Sequence, residues 1–129
     1  MEEPGLAERL KSADEEVFRA AVSDLHTAIL STNQEGTHSK LVANGVVSCL
    51  VRALGSRIPD VQLNAARCIR KASRTKSIAE MLTNTGAIPA LVNCMSPSNQ
   101  DLHEDVAHAL INIAHAGERL RHAVAESGV

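Results

Sequence analysis

The side chains with metal or acid–base chemistry gather in residues 101–115, where His103, Glu104 and His108 spell H-E-x-x-x-H. Zinc proteases use H-E-x-x-H, which sets both histidines on one face of a helix. The extra residue here turns the second imidazole away by about 100°, so the pair does not converge on an ion. His108 and His115 share a face but lie two turns apart, too far to chelate one ion unaided. Surface histidines are expected, and no metal. The three cysteines, Cys49, Cys68 and Cys94, are odd in number and lack metal-site spacing. Each falls within an apolar helical pattern, so buried, reduced thiols are expected. That fits a reducing compartment, the cytoplasm or the nucleus. No nucleophile–base pair, glycine-rich phosphate loop or paired-carboxylate site stands out. Neither an enzyme nor a bound cofactor is expected.

The remaining chemistry is charge. Between residues 52 and 76 stand seven bases, Arg52, Arg57, Arg67, Arg70, Lys71, Arg74 and Lys76, with only Asp60 against them. The first 35 residues run the other way, with eight acids against Arg9, Lys11 and Arg19. Net charge over the 129 residues is −2, so nothing global points to nucleic acid or a membrane. The opening MEEPG is acidic and apolar-poor, unlike a signal peptide. No apolar run approaches the roughly 20 residues that span a bilayer.

These groups need helices to position them. Apolar residues make up 44% of the chain, yet Phe18 is its only aromatic residue. A core of Leu, Ile, Val and Ala suits closely stacked helices better than strands. Residues 86–115 show how. Ile88, Leu91, Val92 and Met95 form one stripe at helical spacing, with Pro89 in the first turn, where its missing N–H costs nothing. Pro97, Ser98 and Asn99 interrupt the pattern. Leu102, Val106, Leu110 and Ile113 then form a second stripe from about Asp101 onward.

The pattern repeats. Gly45, Gly86 and Gly128 are separated by 41 and 42 residues. KLVANG, EMLTNTG and HAVAESG precede them. VVSCLVRAL at 46–54 and AIPALVNCM at 87–95 follow the first two, and DVQLNAARCIRKA at 60–72 lies over DLHEDVAHALINI at 101–113. EVFRAAVSDLHTA at 16–28 fits the same frame. A period near 41 falls among the helical solenoids, whose units bury their stripes only against their neighbours. The expected frame is a partial repeat at 6–33, fuller repeats at about 37–74 and 76–116, and a short helix over 118–127. Glu8, Arg9 and Lys11 offer a polar N-terminal cap. The other end has none, so a piece of a longer array, or self-association through that face, is expected.

The glycine followed by GAIPALV at 86–92, the two apolar stripes, and Asn112 one turn before the end of the second stripe closely resemble an armadillo repeat. HEAT repeats lack this glycine-centred turn. The resemblance implies an all-α, right-handed armadillo superhelix whose third helices line a concave groove that holds an extended peptide. Beside the ladder Val61, Ala65, Ile69 and Ala72, helical spacing puts Asn64, Arg67, Lys71 and Arg74 on an exposed stripe. The equivalent stripes are Asp105, His108, Asn112 and His115, and Ala20, Ser23, Thr27 and Leu30. In the family the helix asparagine grips the peptide main chain. Asn112 matches that position, and Lys71 and Thr27 occupy its equivalents. Importin-type arrays carry Trp four residues before each Asn. Ser23, Arg67 and His108 stand there, which argues against a basic nuclear-localisation peptide.

The expected function is therefore a non-catalytic scaffold or adaptor. Asn64, Arg67, Lys71, Arg74, His108, Asn112, Ser23 and Thr27 would form a groove for an extended, acidic protein segment. The plain alternative for the basic run is a solvated helix face, with bases favoured near the helix C-terminus. Two other roles compete. The run VSDLHTAIL with KLVANGVVSCLV is loosely similar, over about a third of the chain, to the armadillo subunits of GID/CTLH ubiquitin ligases, which implies a structural part packing through its ends. A nucleic-acid-binding solenoid would use the basic patch but lacks interleaved aromatic platforms.

Overall fold

The computed structural model describes residues 5–33, 35–36, 41, 45–95 and 98–128. Among them the chain is helical, with no strand. The helices are α1 (Leu6–Leu10), α2 (Glu15–Leu30), α3 (Val46–Leu54), α4 (Pro59–Ala72), α5 (Lys76–Asn84), α6 (Ala87–Cys94), α7 (Gln100–His115) and α8 (Glu118–Glu126). Ahead of Gly45, the described residues Glu35, Gly36 and Leu41 are helical, Leu41 being 1% exposed, and the rest of the KLVANG segment before Gly45 lies outside the described residues. Pro97 also lies outside them.

Local chemistry explains the boundaries. Asp14 caps α2 by accepting from the Glu16 and Val17 amides. Pro59 opens α4, and Asn99 caps α7 by accepting from the Leu102 amide. Gly45 and Gly86 sit at φ +74° and +91° immediately before α3 and α6. A side chain at Gly86 would meet nothing within 4 Å. Its role is therefore the left-handed turn itself, which lets one short helix run sharply into the next.

α4 packs against α2 on one side and α7 on the other, so these three long helices stand in a row. The shorter α3, α5 and α6 pack behind them, and α8 closes against α7 and α5. The ladder Val61, Ala65, Ile69 and Ala72 is buried, as are Leu102, Val106, Leu110 and Ile113. Alanines at these contacts, among them Ala66 and Ala109, bring neighbouring helices close. Cys49, Cys68 and Cys94 are free and buried. Loss of solvent pushes the Cys68 thiol up to about 12. The Cys94 thiol, raised by the same cause, lies 3.1 Å from the Leu54 carbonyl oxygen as a weak donor. These thiols fill the core, and for Cys68 and Cys94 loss of solvent disfavours the nucleophilic thiolate.

Candidate functional site

The bases of the sequence cluster do not stay together. Arg52 lies over the Phe18 ring at 4.4 Å and donates to the Ser12 carbonyl. Arg57 lines the same hollow beside Phe18. Asp60 is taken up by Arg19 of α2, at 2.8 and 3.1 Å. Four bases do converge. Arg67, Arg70, Lys71 and Arg74 line a groove of about 470 Å³ with His26, Leu30 and Asp105. Leu30 is 58% exposed and supplies its apolar wall.

Asp105 departs from expectation. Helical spacing places it on the exposed stripe of α7, but it is only 6% exposed. Arg67 Nε and an Arg70 terminal nitrogen cover it, donating to its two oxygens at 3.2 and 2.9 Å. The basic run is thus opposed from the next repeat by a carboxylate 35 and 38 residues away. Arg67 and Lys71 also do more than face solvent. Lys71 Nζ donates to the Ile29 and Thr32 carbonyls at the end of α2, the latter at 2.8 Å. A cation at a helix C-terminus satisfies orphan acceptors and meets the negative end of the dipole. Asn112, in the equivalent position of α7, donates through Nδ2 to the Arg70 carbonyl at 2.9 Å. The same helix position therefore ties each long helix back to the end of the one before it.

The other expected groove residues spread out. Arg74 is exposed, and its guanidinium has no hydrogen-bond or ion-pair partner among the described residues. With Lys76, Asn112, His115 and Ala116 it lines an adjoining hollow of about 360 Å³. Asn64 is half-buried, and Ser23, Thr27 and His108 are exposed. Thr27 Oγ1 donates to its own helix at Ser23 O, 3.1 Å. None of these four lines either hollow. His26 and Arg70 were absent from the expected site. The signal that could have found them is their common register, three residues after Ser23 and Arg67.

His26 Nε2 is buried without a hydrogen-bond partner. Loss of solvent, then the Arg67 charge, lower its pKa from 6.5, and Asp105 partly opposes them. The unfolded chain consequently takes up a proton more readily than the folded one as the pH drops below about 6.5. Stability should fall with pH there and level off once folded His26 also protonates. Thermal unfolding of wild type and His26→Gln between about pH 7.5 and 5.5 checks this. The wild type should lose more of its melting temperature, and equal losses would show that another group sets the slope.

No cluster of His, Cys, Asp or Glu among the described residues has the arrangement to hold a metal ion. No described helix is long and apolar enough to cross a membrane.

A scan against protein-family models finds no match, and neither does a search of the curated proteins. Solved structures do match. The designed armadillo repeat protein YIII(Dq)4CqI superposes with a TM-score of 0.83 at 23% identity, over 95% of this chain and 51% of its own. A set of computationally designed armadillo repeat proteins for modular peptide recognition gives 0.84 at 23%, over the same shares. The designed armadillo repeat protein YIII(Dq.V1)4CPAF, solved in complex with peptide (KR)4, gives 0.83 at 26%, again over 95% and 51%. The fold is an armadillo-repeat solenoid. The chain spans about half the length of these designed proteins. They give no support to the likeness with GID/CTLH ligase subunits.

Proposed function

We propose that this solenoid is a non-catalytic binding module that holds an extended acidic segment of a partner protein along the row α2, α4 and α7. The observation that carries the reading is the groove at the middle of that row, where four cations face one carboxylate. The similar design solved with (KR)4 holds a basic peptide. The charge here favours the opposite ligand. Buried free thiols suit a reducing compartment, the cytoplasm or the nucleus.

Arg74 offers the cleanest test, because it is exposed and holds nothing else in place. Reversing Arg67 or Lys71 would also break the Asp105 pair or the tie to α2. Arg74→Glu should weaken a blocked glutamate-rich peptide about tenfold, roughly two exposed charge contacts, with an unchanged helical melt. Titration calorimetry at low and moderate salt reads it. Equal affinity for wild type and variant would remove the groove as the site.

A second surface supports self-association. Met95, Ala107, Leu110, Ile111, Ala114 and Val124 line an apolar hollow of about 230 Å³, and Ile111 is 52% exposed. Of the positions 41 residues earlier, Leu54, Ala66, Ile69 and Ser73 are at most 1% exposed beneath the repeat that follows them, while the counterparts of Ile111 and Val124, Arg70 and Thr83, are half-buried. The hollow thus continues the chain's own repeat interface, and a second copy is its proposed occupant. Ile111→Glu should shift sedimentation toward monomer while leaving helicity intact. Wild type that is already monomeric at high concentration would rule the contact out.

A further inference from the structure

The groove's charge is concentrated, and that narrows the ligand beyond an acidic segment. Its cations come from the end of α4 and the turn just after it, between residues 67 and 74, and the flanking positions Ser23, Thr27 and His108 add no fixed charge. Carboxylates spaced along an extended chain would meet these cations only once. A single dianion would meet them together. The cations are also set in place. Asp105, 6% exposed, holds both Arg67 and Arg70, and each guanidinium keeps further N–H groups without an acceptor among the described residues. Side chains held in this way lose less freedom when a ligand arrives. Arg74 adds an unpaired guanidinium at the edge.

From this geometry we propose that the groove recognises a phosphorylated serine or threonine within an extended protein segment. A phosphoryl group brings about −1.5 to −2 charge at pH 7 and three acceptor oxygens, which match guanidinium forks better than one carboxylate does. Leu30 would take an apolar neighbour of the modified residue. Binding would then be switched on by modification of the partner. The proposal rests on the reading of this groove as a peptide site. Nucleic-acid phosphates fit less well. Phe18, the sole aromatic, is 6% exposed under Arg52, so no base could stack on it. Arg52 and Arg57 line a different hollow, which breaks any continuous basic track.

The test uses a blocked glycine–alanine peptide with one central phosphoserine, its glutamate twin, its serine twin and a single-stranded oligonucleotide of similar charge. Amide and arginine side-chain NMR signals report position and affinity. The phosphoserine peptide should move signals of α4 and bind about tenfold tighter than the glutamate twin, roughly one added charge-assisted contact. Arg74→Ala should weaken it several-fold with an unchanged melt. If the phosphoserine and glutamate peptides bind equally, phosphate recognition fails while the acidic groove stands. If neither moves α4, both readings fail. Tighter binding of the oligonucleotide at α4 would overturn the proposal in favour of nucleic acid.

Discussion

Ile69→Ala is expected to lower the unfolding free energy by about 2–5 kcal/mol, the range for emptying a fully packed aliphatic site. Ile69 is 0% exposed on α4, the middle helix of the row. Its environment includes Ala65, Ala66 and Ala72, all buried. Small rigid neighbours have few rotamers with which to fill a void, so the upper part of the range is the better guide. In a stacked array each unit is stable largely through its neighbours. The loss should therefore broaden the urea transition as α2 uncouples from α7, besides moving its midpoint. Helical circular dichroism against urea measures both. A loss below about 1 kcal/mol would mean that α4 does not bridge the two halves.

Removing the Asp105 carboxylate should cost about 2 kcal/mol. Charge-assisted hydrogen bonds are worth roughly 1.5–3 kcal/mol each, and Asp105 accepts two. The arginine side chains are 41% and 36% exposed, however, and can turn to water once released, so the full sum is not reached. Asp105→Ala also leaves Arg67, Arg70 and Lys71 to repel one another. Its deficit should shrink as salt is added, since screening relieves repulsion between half-exposed charges. Pairing Asp105→Ala with Arg70→Met forms a double-mutant cycle. A coupling near zero would show that the bond contributes little beyond the packing of the two side chains.

Asp105 also shows where reading the sequence stops. It occupies the same helical register as Asn64, which stays half-buried. The helix ladders were legible because an apolar stripe is a property of one helix. The turns were legible because only glycine takes a positive φ cheaply, at a spacing of one repeat. The burial of Asp105 belongs to another helix. Arg67 and Arg70 of α4 are long enough to reach over it, whereas Ser23 and His26 occupy the corresponding places opposite Asn64. Lys71 and Asn112 make the same point. Periodicity puts them on the row's open face, and only the structure shows them reaching back to the preceding helix. Similarly, Arg52 and Arg57 are close to Arg67 in sequence but belong to another surface, because a turn and a new helix intervene.

The backward reach of Lys71 and Asn112 also makes the row a ruler. Each clamps the end of one long helix to the flank of the next, across 39 and 42 residues of chain. Packed helix axes lie roughly 8–10 Å apart, and an extended strand advances about 3.3 Å per residue with side chains alternating in direction. Under the proposed peptide reading, a segment crossing the row would move about two to three residues between successive helices. Both clamps are hydrogen bonds to main-chain carbonyls, so the pitch is fixed by atoms that mutation of neighbouring side chains leaves in place. On that reading, sequence changes along the open face would alter which residues of a bound segment are contacted without altering the interval between contacts.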